Sequence, residues 1–405
     1  MRKGTLFWGM LVILLFFPKP IFATFYSGTY LVSFGSDGEP RWDDSLTTEG
    51  YAGYGSVFTD GAGNVYVEGL DFLMKYGVDG ERQWKTTADF ALPECVADDQ
   101  QYLYCTEYHE PTITVLDFSG HYVNRLGIFT AYAADLTVGV SGDLYFNAWY
   151  DEGAEFVRLT KTGDEIWSRR VDGFRVLEMA LTAQGGVIST GTGTGLDEEN
   201  IYAIAFDPDG GLVHNTLVGS AHWGMAAFLP SGDFVVAREV DEMTMTVERF
   251  DASGEILWSE EVEGFGEMGR SGDVVWRPAG ELVVCGAESE HTKVFKFDKD
   301  GNLDWVRAYQ SRKPNFPMFA RISDSGNITI VGQRMDICGE GLCRARLFLV
   351  QFSRSGEIRW ETEYRRPHAE ETEFGQAALD DEDNLYVAGE FRKEKSDEDD
   401  EGCGC

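Results

Sequence analysis

The stretch Val294-Phe-Lys-Phe-Asp-Lys-Asp-Gly-Asn-Leu-Asp-Trp305 reads strand, tight turn, strand, with Gly301 at the turn and Trp305 four residues later. Glycines of the same kind stand at Gly38, Gly80, Gly120, Gly163, Gly210, Gly254, Gly301 and Gly356. Six of the eight are followed at the fourth position by Trp: Trp42, Trp84, Trp167, Trp258, Trp305 and Trp360. The other two carry Asn124 and His214 there. The spacing of these glycines, from Gly80–Gly120 at its shortest to Gly301–Gly356 at its longest, is the period of a propeller blade.

A second phrase lies between these turns, cleanest as Val57-Phe-Thr-Asp-Gly-Ala-Gly-Asn-Val-Tyr-Val-Glu-Gly69. Its turn positions are Gly63, Gln101, Gly142, Gly185, Gly232, Gly280, Gly326 and Asp383. Two residues after each stands an apolar residue: Val65, Leu103, Leu144, Val187, Phe234, Leu282, Ile328 and Leu385. The turn chemistry is specific. Asp251-Ala-Ser-Gly-Glu255 fits a three-residue hairpin loop, in which glycine takes the left-handed position without steric cost. Asp at the start caps the turn with its side chain. The strands on either side read as apolar on both faces, as in sheets covered on both sides.

Each blade is therefore predicted as four strands, a Tyr-Val hairpin followed by a Trp hairpin. Complete copies span roughly 55–85, 94–124, 134–168, 177–214, 224–259, 272–306 and 318–361. A lone Trp hairpin, Tyr30 to Trp42, opens the mature chain, and a lone Tyr-Val hairpin, Gln376 to Gly389, closes it. Together they make an eighth blade that joins the chain ends and leaves no long free sheet edge. The fold class is all-β: an eight-bladed β-propeller of four-stranded antiparallel blades, one domain over 24–392, closed by N- and C-terminal hairpins in one blade.

The phrase Phe-Asp-x-x-Gly-x-x-x-Trp, with Asp-x-x-Gly-Asn-x-Tyr-Val-x-Gly between copies, resembles bacterial β-propeller repeat proteins. It is similar to the broader quinoprotein-like (PQQ-like) propeller superfamily, whose Trp residues dock between blades. The resemblance implies a secreted or periplasmic scaffold. One departure is plain: the quinoprotein repeat places Asp four residues before Gly, whereas Asp251 precedes Gly254 by three, as Asp298 precedes Gly301. No quinone or calcium ligand set accompanies it, so no cofactor is predicted. Calcium is the one ion that acidic turns such as Asp207-Pro-Asp209-Gly superficially invite; ordinary hairpin turns are the plainer reading.

Residues 1–23 read as a secretory signal peptide: Arg2 and Lys3, an apolar run from Thr5 to Phe17, Pro18 and Pro20, then Ala23. The run is short of the roughly 20 residues a membrane span needs. A retained anchor is the alternative. Secretion or a periplasmic location follows, with cell-surface association open. The last segment, 393–405, is acid-rich and ends Gly402-Cys-Gly-Cys405, the composition of a disordered tail.

Acids outnumber bases 69 to 34, for a net charge of −35. Such a chain repels nucleic acid and anionic membranes and stays soluble as a monomer. Seven cysteines in an exported chain point to disulfides. Cys95 and Cys105 lie equidistant from a turn near Gln100, which sets them opposite each other. Cys338 and Cys343 bracket Gly339-Glu-Gly-Leu342 in one loop. Cys285 remains over, as a buried strand thiol.

No catalytic or phosphate-loop motif and no metal motif is present, so no catalytic or metal-binding residue is predicted. All glycine turns fall on one face of the disc, and the longer irregular connections on the other. Binding sites usually sit on such loops. Tyr108, Trp149, Tyr150 and Trp223 are candidate aromatics there. Three locally basic loops stand out against the acidic whole: Arg312 and Lys313; Arg334, Arg344 and Arg346; Arg365, Arg366 and His368. They form a candidate patch for an anionic glycan or peptide carboxylate. The competing reading is local pairing with Asp336, Glu340, Glu370 and Glu371. The functional expectation is a non-catalytic exported scaffold that binds a protein, peptide or glycan through its irregular face. The alternative is a propeller enzyme (a lyase, hydrolase or quinoprotein-like oxidoreductase) with its site at the central channel.

Overall fold

In the computed structural model of the chain, the repeat becomes eight four-stranded antiparallel sheets arranged in a ring, with no helix among the described residues. The structure describes residues 25–394 except 49–55, 61, 70–71, 88–93, 99–101, 108–111, 128–132, 151–152, 194–199, 222–223, 242–243, 264–271, 278–279, 289–290, 312, 339–340, 367–368, 370 and 381. Blades one to seven cover 56–87, 95–127, 133–172, 174–220, 224–263, 272–309 and 315–364. In each, the four strands pair in chain order. The eighth blade runs Pro40–Thr48, Phe25–Phe34, Leu385–Glu394, Glu371–Leu379.

Closure rests on the middle of that last blade. Phe25–Phe34 pairs with Leu385–Glu394 along its whole length, from Phe25 opposite Glu394 to Phe34 opposite Leu385. Tyr30, Val32, Phe34, Leu385 and Val387 are buried in one cluster with blade seven. Trp42 meets Tyr386 at 6.0 Å and Tyr76 of blade one at 5.7 Å.

The turns behave as their residues dictate. All eight glycines of the Trp hairpins take positive φ, between 77° and 91°. In the Asp251 turn, the Gly254 N–H donates to the Asp251 carbonyl and the Asp251 N–H to the Glu255 carbonyl, both at 2.9 Å. The Asp251 carboxylate accepts from the Ser253 and Glu255 N–H groups. Asp383 holds the left-handed position, at φ 63°, where six of the other Tyr-Val turns have glycine.

The tryptophan column explains why the glycines must lack a Cβ. Each Trp lies against the turn glycine of the next blade: a Cβ on Gly38 would come within 2.5 Å of Trp360, and one on Gly80 within 2.5 Å of Trp42. The same holds for Trp84 on Gly120, Trp167 on Gly210, Trp258 on Gly301 and Trp305 on Gly356. Four indoles also donate Nε1–H to a carbonyl of that turn: Trp84 to Phe118, Trp167 to Pro208, Trp305 to Arg354 and Trp360 to Ser36. The residue two further on adds a bond to the glycine carbonyl, as Thr86, Arg169, Arg307 and Thr362 do. His214 takes the indole's place against Gly254. In blade two Asn124 does not; Leu126, two residues on, covers Gly163 instead.

The expectation of strands apolar on both faces holds only for the inner ones. The fourth strand of each blade rims the disc and is largely exposed; in Arg82–Thr87 it alternates, with only Trp84 and Thr86 partly covered. The first strands touch their counterparts in neighbouring blades and enclose the central channel. Because successive strands are antiparallel, both hairpin turns of every blade fall on one face.

Cys95 and Cys105 are directly opposite and form a disulfide. Their Cα atoms are 4.1 Å apart, closer than the usual 4.4–6.8 Å. The pair sits between ladder hydrogen bonds, where antiparallel backbones come closest. Cys285 is a free, buried thiol. On the hairpin of blade seven, Cys343 is opposite Asp336 and Cys338 opposite Gly341, and their side chains lie outside the described residues. The predicted signal segment and the residues beyond Glu394 also lie outside them.

Candidate functional site

The inner edge of each blade presents N–H and C=O groups that no fifth strand pairs. Counting back four residues from the opening residue of each Tyr-Val turn gives one column on the first strands: Ser56, Glu94, Asp135, Glu178, Met225, Asp273, Phe319 and Gln376. Four of the eight are acids. They are placed where the unpaired edge is, and they use it. The Glu94 carboxylate accepts from the Leu136 N–H of the next blade at 3.0 Å, and Asp273 from the Ala320 N–H at 2.9 Å. Glu178 accepts from the Ala226 N–H of the next blade in the same way. Ser56 donates to the Gln376 side chain at 2.7 Å, across the closure. From blade one, the buried Glu68 accepts from the Cys95 N–H at 2.8 Å.

These bonds tie the acids to backbone N–H groups and set a belt of carboxyl groups on the channel. Its single described cation is Arg321, on the first strand of blade seven, with a guanidinium nitrogen 3.5 Å from Asp273 and its plane over Phe319. Asp135 takes a left-handed backbone, φ 49°, and accepts from the Asn147 amide at 2.6 Å. Glu178 and Arg321 keep contact with solvent although protein surrounds them on all sides, the situation of a channel lining.

Enclosure governs the protonation of the belt. Burial pushes Glu178 up to about 8, helped by the charges of Asp273 and Asp135 and opposed by Arg321. Burial raises Glu94 to about 7, with Asp135 adding to it. Asp273 is raised by burial to about 6 against the pull of Arg321, and Asp135 is raised by burial as well. Proton affinity rises where like charges share a poorly solvated space. Groups shifted this way inside a cleft mark candidate functional sites.

The column lies at the irregular face in blades one, two, five and six, whose first strands begin within one residue of it. Leu177 and Met318, extra residues in bulges immediately before Glu178 and Phe319, remain 47% and 39% exposed beside it. Bulges re-aim the following side chains, and the one at Leu177 sets apolar surface next to Glu178.

The basic loops of blade seven have a different arrangement. Arg334 and Arg346 converge on Glu363, at 2.9 and 2.7 Å. Lys313 and Arg346 share Asp336. Arg334 also donates to the Tyr309 hydroxyl at 2.9 Å. Arg365 donates to the Ala369 carbonyl, and Arg366 pairs with Asp43 over the ring of Phe391. Arg312, His368 and the Arg344 side chain lie outside the described residues. Of the aromatics, Trp149 is 46% exposed with Arg175 over its ring, and the Tyr150 hydroxyl donates to Asp172 at 2.7 Å. Tyr108 and Trp223 are outside the described residues. Among the described residues, no three His, Cys, Asp or Glu side chains are grouped to hold a metal ion, and no helix is long and apolar enough to cross a membrane.

No protein-family profile and no curated protein matches the chain in sequence. Solved structures do match in fold. The Dos1 propeller is 10% identical, covers 83% of this chain and 88% of its own, and gives a TM-score of 0.55. Hsv2 of Kluyveromyces lactis is 11% identical over 78% of this chain and 98% of its own, with a TM-score of 0.51. The WD40 β-propeller domain of Doa1 is 14% identical over 70% and 94%, with a TM-score of 0.45. At these identities the likeness to the Dos1 propeller and Hsv2 shows the fold alone: the chain is a β-propeller.

Proposed function

We propose that this protein is an exported, non-catalytic binding scaffold whose channel mouth receives a cationic group, the ammonium or guanidinium of a basic peptide or protein. The carrying observation is the convergence of Glu94, Asp135, Glu178 and Asp273 from four blades with Arg321 as their one described counter-charge. Leu177 and Met318 would take the methylene stem of a Lys or Arg side chain, whose charged head then meets the carboxylates. Export rests on the basic, apolar and Ala-ended order of positions 1–23. The scaffold needs no bound cofactor.

The test is calorimetric titration at about pH 8.5, where the belt has lost its protons, with a tetralysine peptide and, separately, a tetraglutamate peptide. Tetralysine binding that weakens about tenfold in the Glu178→Gln/Asp273→Asn variant supports the reading. No binding, or binding indifferent to that variant, ends it.

One observation favours a second reading, an enzyme at the channel. Glu178, raised to about 8, and Asp273, raised to about 6, are two carboxylates held at different proton affinities, the condition for an acid and a base in one site. A substrate turned over by wild type and not by Glu178→Gln would favour it. Stoichiometric binding of an unchanged ligand would not.

A further inference from the structure

We propose that the groove between blades six and seven, on the face opposite the irregular loops, binds a small molecule through an oxyanion group, a carboxylate or a phosphate. The groove is open and encloses about 720 Å³, within the usual range for small-molecule sites. Its lining inverts the charge of the chain. Lys296, Arg307 and Arg354 face it, with Asp304 as the one carboxylate among the lining residues and Glu281 below.

The inversion has a sequence origin. Many turns elsewhere open with Asp, as at Asp60, Asp207, Asp251, Asp298 and Asp380. Both turns of blade seven open with Ser. Ser323 and Ser353 cap them by accepting the Asn327 and Glu357 N–H groups at 3.2 and 3.1 Å. A hydroxyl does the capping without bringing a negative charge into the groove.

The cations are not all neutralised. Arg307 donates to carbonyls, those of Gly356, Val306 and Ser355, which leaves its charge without a carboxylate among these bonds. Arg354 gives Nε–H to Glu281 at 2.7 Å, and its side chain is 65% exposed where it lines the groove. An exposed guanidinium suits the paired oxygens of a carboxylate or phosphate. Ser353 and Ser355 lie 2.9 Å apart, and the Asn327 amide donates to Ser325 beside them, so hydroxyl donors line the same wall. Lys296, only 4% exposed, is tied to Asp304 and Glu281 and anchors the floor.

A second groove on the same face, between blades eight and one, shows that the fold does not impose this chemistry. It encloses about 400 Å³ and is lined by Asp60, Asp380 and Glu382 with Arg41 alone.

The test uses inorganic phosphate and sodium acetate as probes, read by thermal shift and by calorimetry at constant ionic strength set with chloride. Phosphate or acetate should stabilise wild type above the chloride control. The effect should weaken about fivefold in Arg354→Gln and in Ser355→Asp, while Arg41→Gln leaves it intact. Phosphate without acetate assigns a phosphate or sulfate ester; both probes together assign a carboxylate-competent site. Each variant's own melting curve checks that it folds. The proposal is overturned if neither probe exceeds chloride, or if Arg354→Gln and Ser355→Asp both bind as wild type does. Its outcome is independent of the channel, which Glu178→Gln tests separately.

Discussion

The indole–glycine latch predicts a specific asymmetry between two alanine substitutions. Gly38 and Gly142 have nearly the same backbone, φ 82° and 80°. A side chain at either position therefore meets the same left-handed strain, about 1–2 kcal/mol. Their surroundings differ. The nearest atom to a Cβ on Gly142 is the Lys161 Cδ at 4.0 Å, an ordinary contact at the end of a flexible chain. A Cβ on Gly38 would stand 2.5 Å from two carbons of the Trp360 ring. The indole must move, and with it the Nε1–H bond to the Ser36 carbonyl at 3.0 Å. A lost bond of this kind costs about 1 kcal/mol, and forcing the ring off its seat about 1 more. Gly38→Ala should therefore destabilise by about 3–4 kcal/mol and Gly142→Ala by about 1–2 kcal/mol.

A propeller running from Phe25 to Glu394 unfolds with an entropy of about 0.8 kcal/mol/K, so each kcal/mol is a little over about 1 °C. Calorimetric melting should place Gly38→Ala about 4 °C below wild type and Gly142→Ala about 2 °C below. In a Trp360→Ala background the added effect of Gly38→Ala should shrink to that of Gly142→Ala, because the clash has gone. Equal shifts for the two glycines in the wild-type background would refute the latch as the link between blades.

Three further outcomes follow from the same geometry. The folded chain keeps protons on Glu94, Glu178 and Asp273 to about pH 7, 8 and 6, against ordinary values of 4.5, 4.5 and 3.8, so its stability should fall as pH rises from about 5 to about 8 and then level off. Melting temperatures across that range should show the slope and Glu178→Gln should flatten it; a profile rising through the window contradicts the belt. Cys105→Ala should destabilise by about 2–3 kcal/mol through the short span the disulfide closes, and peptide mapping of non-reduced protein should recover Cys95 and Cys105 linked rather than free. Removing residues 1–42 deletes the first hairpin, with the fully buried Tyr30, Val32 and Phe34, and should lower stability by several kcal/mol; an unchanged melting curve would argue against closure through the eighth blade.

The fold was legible because each of its requirements is local and repeated. A left-handed turn position demands Gly at Gly254 or Gly301 whatever surrounds it, and the Trp four residues on marks where the next blade must dock. Even the exceptions carry a physical cause: Leu126 serves where Asn124 would leave Gly163 uncovered. The disulfide was legible for the same reason, since equal distances from a turn fix cross-strand partners. The channel belt was not. Its acids recur in phase with the turns, and aligning the eight first strands on their turn openings would have placed Glu94, Asp135, Glu178 and Asp273 in one column. Whether that column faces the channel depends on bulges such as those at Leu177 and Met318, and on the left-handed Asp135, and a period-two reading of a strand does not anticipate them.

The charged loops teach the complementary lesson. Arg334, Arg346 and Lys313 stand out in the sequence because the chain around them is acidic, yet a cation's availability depends on what its neighbours in space accept. Asp336 is close to Lys313 only because the second and third strands of blade seven run on past the sheet, and Glu363 reaches both arginines from the fourth strand. Arg307 and Arg354, by contrast, sit in the Trp hairpins and read as ordinary turn-flanking residues. Both turns of blade seven open with serine, where Asp60, Asp98, Asp117, Asp207, Asp251, Asp298 and Asp380 open turns elsewhere, so neither turn opening brings a carboxylate to the groove. In a repeat protein of net charge −35, the positions that omit the acid are more informative than those that add a base.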